Sequence, residues 1–233
     1  MKKILLLHGW NYKNYTKLTE EKDAWHNRKK FVSELEKNYE VYKLNFPGFC
    51  SEKEPKKSWN LSDFAKYVHD YLETNNLKVD YVLGYSFGGA VAVTYNRLYD
   101  SKQKLILISP AIVRNYDKSK KFIKTPAFLT PIRNLIRNSY LINIVKTNEM
   151  VYGTKFLRDT YQSIVRIELI DEIEKIDPNR LKIIYGTEDK MVNPRLVESK
   201  VLDKYKKCIY FIEGGGHDIA NTHTKELIDI IGK

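Results

Sequence analysis

Cysteine is scarce in this sequence. The 233 residues include two, Cys50 and Cys208, which lie far apart and fit neither a metal-binding spacing nor a disulfide framework. The N-terminal stretch MKKILLLHGW also lacks a signal peptide's apolar core of roughly 7–15 residues and the small-residue cleavage site that would follow it. Both absences argue against a secreted, disulfide-linked protein and favour a cytoplasmic one with two reduced thiols.

Long hydrophobic runs are absent as well. No apolar stretch approaches the ~20 residues of a membrane-spanning helix, so stable membrane insertion is not expected. The sequence contains no H-E-x-x-H, C-x-x-C or clustered carboxylates that would suggest a metal. It also contains no G-x-G-x-x-G or G-x-x-x-x-G-K motif that would suggest a nucleotide. We therefore expect neither a metal nor a cofactor.

Acidic residues are outnumbered, with 29 Asp and Glu against 40 Lys and Arg and a net charge of +11. No stacked-aromatic or Arg/Gly pattern accompanies the excess, so we interpret it as a solvated surface and expect no nucleic-acid partner. A basic nucleic-acid binder is the alternative, and it predicts steeply salt-dependent association. Residues 114–146 hold eight basic residues and one acidic residue. Such a segment could steer an anionic substrate or touch a lipid surface.

Short apolar runs alternate with amphipathic helical patterns along most of the chain. The six predicted strands are KILLLHG, YEVYKLNF, VDYVLGY, KLILISP, LKIIYG and KCIYFIEG. This alternation is typical of an α/β fold with a mostly parallel sheet and helices on both faces. Residues 112–179 break the alternation with helical patterns and no clear strand. We therefore predict a core domain formed by residues 1–111 and 180–233, with residues 112–179 inserted as a helical cap.

The pentapeptide Gly84-Tyr85-Ser86-Phe87-Gly88 falls between a predicted strand and a predicted helix. A turn this tight holds its central residue at positive φ with the side chain above the sheet, and it leaves no room for a β-carbon two residues to either side. The start of the helix also favours negative charge that develops near the serine. We interpret Ser86 as a nucleophile, with a helix-capping serine in a Gly-rich turn as the alternative.

A serine hydroxyl needs a base to take its proton and an acid to orient that base. Open α/β sheets present such residues at the carboxyl ends of their strands. Asp189 follows one predicted strand in GTEDKMV, and His217 follows the last strand in GGGHD. They give the order Ser, Asp, His that this chemistry predicts. Glu188 is the alternative acid, His8 is expected to support its loop by hydrogen bonding, and Asp218 is expected to point away from His217.

The motifs HGW, GYSFGG, GTEDKMV and GGGHD resemble those of the α/β-hydrolase superfamily, and the resemblance covers essentially the whole chain. It implies that Ser86 is the nucleophile, that His217 is the general base and that Asp189 fixes the imidazole tautomer. It also implies an oxyanion hole formed by the backbone N–H groups of Trp10 and Phe87.

These residues predict a carboxylesterase-like serine hydrolase that cleaves the ester bonds of small to medium substrates through an acyl-enzyme at Ser86. Trp10, Tyr85 and Phe87 are the predicted substrate-binding residues. Three alternatives stay open on the same sequence: a thioesterase, a hydrolase of carbon–carbon bonds in β-diketone-like substrates, and a hydrolase-fold binding protein without catalysis.

Overall fold

Six parallel strands form one sheet in the order β2-β1-β3-β4-β5-β6. The computed structural model describes residues 1–50, 52–113 and 147–233. The strands are β1 (Lys2–Leu7), β2 (Tyr39–Leu44), β3 (Tyr81–Tyr85), β4 (Lys104–Ile108), β5 (Leu181–Gly186) and β6 (Ile209–Ile212). The strand order reverses between β1 and β3, and open α/β sheets bind ligands at the carboxyl ends of the strands at such a point.

Helices cover both faces of this sheet. The longer ones are α1 (Lys29–Glu36), α2 (Leu61–Thr74), α3 (Phe87–Tyr99), α5 (Lys155–Ile164), α7 (Pro194–Lys200) and α10 (Thr224–Gly232). The shorter ones are α4 (Asn148–Tyr152), α6 (Ile170–Ile173), α8 (Asp203–Lys206) and α9 (Ile219–Thr222). Short 3₁₀ turns occupy Tyr12–Asn14, His26–Arg28 and Pro178–Arg180. The predicted α/β fold class is confirmed.

The side chains of the central strands β1, β3, β4 and β5 are mostly buried on both sides of the sheet, whereas the edge strand β2 is partly exposed. In β1, Leu5 and Leu7 pack into the core cluster that holds the apolar faces of α2 and α3. Ile4 and Leu6 pack into a second cluster, with the apolar residues of α1 and α10. Burial on both faces explains why these central strands are continuous apolar runs rather than alternating ones.

The amphipathic pattern of PRLVESKVLDKY predicts a single helix that begins at Pro194, but the structure divides it. The segment PRLVESKVLDKY forms α7 and α8, because Val201 and Leu202 between them adopt extended backbone. The Val201 side chain at this break packs into the core, where it is 5% exposed. Pro194 lies at the first turn of α7, as its missing N–H predicts.

The described part of the predicted cap lies over the loops that follow the first two strands. In α5, the Thr160 hydroxyl accepts a hydrogen bond from the Trp59 backbone N–H at 2.9 Å. Tyr161 of the same helix packs against Trp10, with the ring centroids 5.4 Å apart. The division into a core and a cap at residues 112–179 stays a prediction, because residues 114–146, which form the basic segment, lie outside the described residues.

Within the part of the chain that the structure describes, no helix is both long and apolar enough to cross a bilayer. The same residues contain no cluster of three or more His, Cys, Asp or Glu side chains placed to hold a metal ion.

Candidate active site

Ser86 lies in a strained turn between β3 and α3. Its backbone has φ 51° and ψ −111°, a left-handed conformation that non-glycine residues rarely adopt. The turn leaves no space for side chains beside it, since a β-carbon on Gly84 would lie 2.4 Å from the Gly88 carbonyl oxygen. A β-carbon on Gly88 would lie 2.1 Å from the Leu7 carbonyl oxygen. The two glycines therefore allow the close contact between β3, α3 and β1 that holds the serine.

Hydrogen bonds from the neighbouring strand fix this strained backbone in place. The Ser86 N–H donates to the Ile108 carbonyl oxygen at 2.8 Å, and the Ala111 N–H donates to the Ser86 carbonyl oxygen at 3.0 Å. Strain of this kind persists only where surrounding contacts over-determine the conformation. The backbone that carries the Ser86 side chain is consequently fixed at the carboxyl edge of the sheet.

Three side chains from distant parts of the sequence form one hydrogen-bonded series at this edge. The Nε2 atom of His217 lies 3.0 Å from the Ser86 Oγ, and the Nδ1 atom lies 2.8 Å from the Asp189 Oδ2. A carboxylate can only accept, so Nδ1 carries the proton and Nε2 is left to accept the serine proton. The geometry thus presents the imidazole in the tautomer that a general base requires.

Asp189 is held ionised in a buried position. Burial acts to raise the pKa of its carboxyl, but hydrogen bonds and charge from His217 and two backbone N–H groups outweigh burial and leave the pKa below its ordinary value. Those N–H groups belong to Met191 and Val192 and lie 2.8 and 2.9 Å from Oδ1. The alternative acid, Glu188, has an exposed side chain. The structure therefore brings Asp189 to His217.

Close backbone contact between two glycines joins the loops that carry Asp189 and His217. A β-carbon on Gly186, at the end of β5, would lie 2.1 Å from the Gly215 carbonyl oxygen. That same oxygen accepts a hydrogen bond from the Glu188 N–H at 2.8 Å. The acid and the base are thus positioned by neighbouring strands through direct main-chain contact.

His8 orders the loop on the other side of Ser86. The Phe46 N–H donates to the His8 Nε2 at 2.9 Å, so the proton of this ring lies on Nδ1 and is donated to the Gly9 carbonyl oxygen at 2.8 Å. The ring is fully enclosed, and desolvation lowers its pKa from 6.5 to about 4. A β-carbon on Gly9 would lie 3.3 Å from the Ser86 Cβ, so this loop lies directly beside the serine.

The expected oxyanion hole consists of two backbone N–H groups, one on Phe87, which follows Ser86, and one on Trp10, which follows Gly9. The Phe87 N–H belongs to the first turn of α3, where such groups have no partner within the helix. The Trp10 N–H follows the Gly9 carbonyl group, which is turned toward His8. Among the residues that the structure describes, none accepts a hydrogen bond from either N–H. The oxyanion hole expected at these two N–H groups stays a prediction.

Comparison with known proteins shows the family to which this chain belongs. A sequence profile described as alpha/beta hydrolase fold matches residues 2–129. The chain belongs to the α/β-hydrolase family. It is 32% identical over 217 residues to a Mycoplasma genitalium protein named "Putative esterase/lipase 2", covering 84% of this chain and 78% of that protein.

Solved structures of similar fold include a bromoperoxidase from Bacillus anthracis, with a TM-score of 0.67 and 19% identity over 99% of this chain and 90% of that one. An esterase from Exiguobacterium antarcticum has a TM-score of 0.64 and 15% identity, covering 100% of this chain and 91% of that one. At these identities the likeness shows the α/β-hydrolase fold alone.

The three residues expected to bind substrate are placed differently in this α/β-hydrolase. Trp10 is partly exposed and packs edge-on against Phe49 and Phe87. Phe87 itself is 5% exposed and belongs to the core cluster of α2 and α3. Tyr85 is 2% exposed and packs into the second core cluster, together with the apolar residues of α1. Strand alternation thus turns the Tyr85 side chain into a different core cluster from Phe87, and the expected contacts of these residues with substrate stay a prediction.

Sequence reasoning missed the partners of Asp218 in this α/β-hydrolase. Its carboxylate accepts two hydrogen bonds from Arg28, 190 residues earlier in the chain, at 3.1 and 2.8 Å. Arg28 carries no sequence signal, since it lies in a basic stretch that reads as an exposed helix surface.

Proposed function

We propose that this protein is a serine hydrolase that cleaves carboxylic ester bonds of small to medium substrates through an acyl-enzyme at Ser86. The observation that carries the proposal is the continuous hydrogen-bonded series from Ser86 through His217 to Asp189. Membership of the α/β-hydrolase family supports it, as does the name of the Mycoplasma genitalium relative.

The first half of the reaction forms the acyl-enzyme. The Ser86 Oγ attacks the ester carbonyl carbon while His217 Nε2 takes the hydroxyl proton, and the ionised Asp189 stabilises the imidazolium that results. The Trp10 and Phe87 N–H groups bind the oxyanion of the tetrahedral intermediate, each worth about 3–4 kcal/mol to the transition state. His217 then gives its proton to the leaving alcohol, and the carbonyl re-forms on the serine.

The second half releases the acid. A water molecule gives its proton to His217 Nε2 and attacks the acyl carbonyl, and the same two N–H groups bind the second oxyanion. Collapse returns the proton from His217 to Ser86 Oγ and frees the carboxylic acid. Every proton in this cycle passes through one nitrogen atom, which is why the tautomer held by Asp189 matters.

The test is hydrolysis of p-nitrophenyl esters of increasing acyl length by the wild type, by Ser86→Ala and by Ser199→Ala. Ser199 is an exposed serine on α7 whose hydroxyl donates to the Leu196 carbonyl oxygen, so it is a control for loss of a hydroxyl. We expect turnover by the wild type and Ser199→Ala, and none above background by Ser86→Ala. Undiminished turnover by Ser86→Ala would overturn the proposal.

Thioester and β-diketone substrates are assayed in parallel with the esters. Faster turnover of either class than of every ester would leave the nucleophile in place but refute the ester assignment. If the wild type turned over none of the three classes yet still bound them, it would be a binding protein on a hydrolase fold.

A further inference from the structure

A second hydrogen-bonded group lies next to the candidate active site, on the face of the sheet that α1 and α10 cover. The Tyr85 hydroxyl donates to the His217 carbonyl oxygen at 2.5 Å and lies 3.1 Å from the Asp218 Oδ1. The Arg28 guanidinium donates to the same Oδ1 and lies over the Tyr85 ring, 4.3 Å from its centroid. We call Arg28, Tyr85 and Asp218 the support triad.

The loop that carries His217 needs such support. Three glycines precede the histidine, and a β-carbon on Gly214 or Gly216 would meet nothing within 4 Å. Glycine also has more backbone freedom to lose than any other residue. Gly215 is packed against Gly186, and α9, whose Ile219 and Ala220 are buried in the core, begins directly after Asp218. Between these two anchored points, the Tyr85 hydroxyl holds the His217 carbonyl oxygen and the Arg28 guanidinium holds the Asp218 carboxylate.

Tyr85 is well placed to set the position of His217 relative to the serine. It is the last residue of β3 and directly precedes Ser86, so the sheet fixes its backbone. Its ring is buried against Trp25 on one side and Arg28 on another. One rigid side chain thus links the main chain beside the Ser86 Oγ to the main chain beside the His217 Nε2.

We propose that the support triad positions His217, holding its imidazole within hydrogen-bond distance of Ser86 by fixing the His217 carbonyl oxygen and the Asp218 carboxylate. The inference rests on the proposed function and assigns no reaction step to these three residues. Burial raises the pKa of the Tyr85 hydroxyl, so it stays a proton donor. Burial acts to raise the pKa of Asp218 too, but the charge of Arg28 and three side-chain hydrogen bonds outweigh it, so Asp218 stays an anion.

The matched variants are Tyr85→Phe and Tyr81→Phe. The first removes the oxygen that binds His217 and keeps the ring that packs on Trp25 and Arg28. The second removes a hydroxyl at the other end of β3, where it accepts a hydrogen bond from Lys2 at 3.4 Å. We expect kcat for a short p-nitrophenyl ester to fall ~10-fold or more in Tyr85→Phe with KM within about twofold, since a small misplacement of a catalytic group acts on the transition state. Tyr81→Phe is expected to keep the wild-type kcat.

A merely structural role for Tyr85 would lower the melting temperature without this division between kcat and KM. Asp218→Asn is the second variant. It keeps the shape of the side chain but loses the charge that holds Arg28, and we expect it to lower kcat as well. If Tyr85→Phe fails to fold, Asp218→Asn decides the question by the same measurement.

The outcomes separate the two proposals. An active wild type, an inactive Ser86→Ala and a folded Tyr85→Phe with kcat within about twofold of the wild type would overturn the positioning role and leave the proposed function standing. A fully active Ser86→Ala would overturn the proposed function itself. A selective loss of kcat in Tyr85→Phe, together with an unchanged kcat in Tyr81→Phe, would confirm that the support triad positions His217.

Discussion

Acid is expected to destabilise this protein through His8, at a pH where most carboxylates are still ionised. The ring is 2% exposed, and its hydrogen bonds with the Phe46 N–H and the Gly9 carbonyl oxygen require the neutral form. Desolvation lowers the His8 pKa from 6.5 to about 4 in the folded protein. In the unfolded chain the ring is solvated and regains its ordinary pKa.

The direction and size of the effect follow from these two pKa values. As the pH falls below about 6.5, the unfolded state takes up a proton that the folded state refuses until about pH 4. The contribution of His8 to the free energy of unfolding is therefore fully present above this pH window and is lost as the pH falls through it. The loss amounts to about 2 kcal/mol at pH 5 and about 3 kcal/mol below pH 4.

The assay is urea denaturation at about pH 7.5 and about pH 5, for the wild type and for His8→Asn, which cannot take up a proton. Asp189 and Asp218 also have lowered pKa values. Their protonation lowers the free energy of unfolding only at more acidic pH, and it does so equally in the wild type and the variant. We expect the wild type to lose about 2 kcal/mol more than the variant between the two conditions. An equal loss in the two proteins would refute the reasoning.

Three further predictions concern the turn at Ser86, the carboxylate of Asp189 and the helix α5. Gly88→Ala places a methyl group against the last carbonyl oxygen of β1, so we expect a loss of about 3 kcal/mol in urea denaturation, with loss of esterase activity. Asp189→Asn keeps the side-chain shape but frees His217 to adopt the wrong tautomer, and kcat for a short ester should fall about 10⁴-fold with little change in melting temperature. Thr160→Val leaves the Trp59 N–H without its acceptor, and calorimetry should show a destabilisation of about 1–3 kcal/mol.

The sheet and the turn at Ser86 could be predicted because their causes are local. Strands buried on both faces must be apolar throughout, and that pattern marks the central strands β1, β3, β4 and β5. The turn requires glycine at Gly84 and Gly88, where a β-carbon would meet backbone atoms, and the sequence shows this requirement directly. Since parallel strands present their carboxyl ends at one edge, Asp189 and His217 could be expected beside Ser86.

The contacts of Tyr85 and Arg28 could not be predicted, because they form between segments that are distant in the sequence. Tyr85 lies beside the nucleophile in sequence, which suggested contact with substrate, and strand alternation turns its side chain into a different core cluster from Phe87. The Arg28 contact with Asp218 depends on how the 3₁₀ turn His26–Arg28 packs against the loop after β6. The spacing of residues along the sequence does not predict such a contact. The extended backbone at Val201, which divides the predicted helix, likewise follows from burial of that side chain in the core.

Covalent labelling tests the nucleophile most directly. The protein is treated with a fluorophosphonate probe, digested and analysed by peptide mass spectrometry. We expect one probe per chain, attached to the hydroxyl of Ser86, and no labelling of Ser86→Ala. A probe found on another residue, or labelling that persists in Ser86→Ala, would contradict the account.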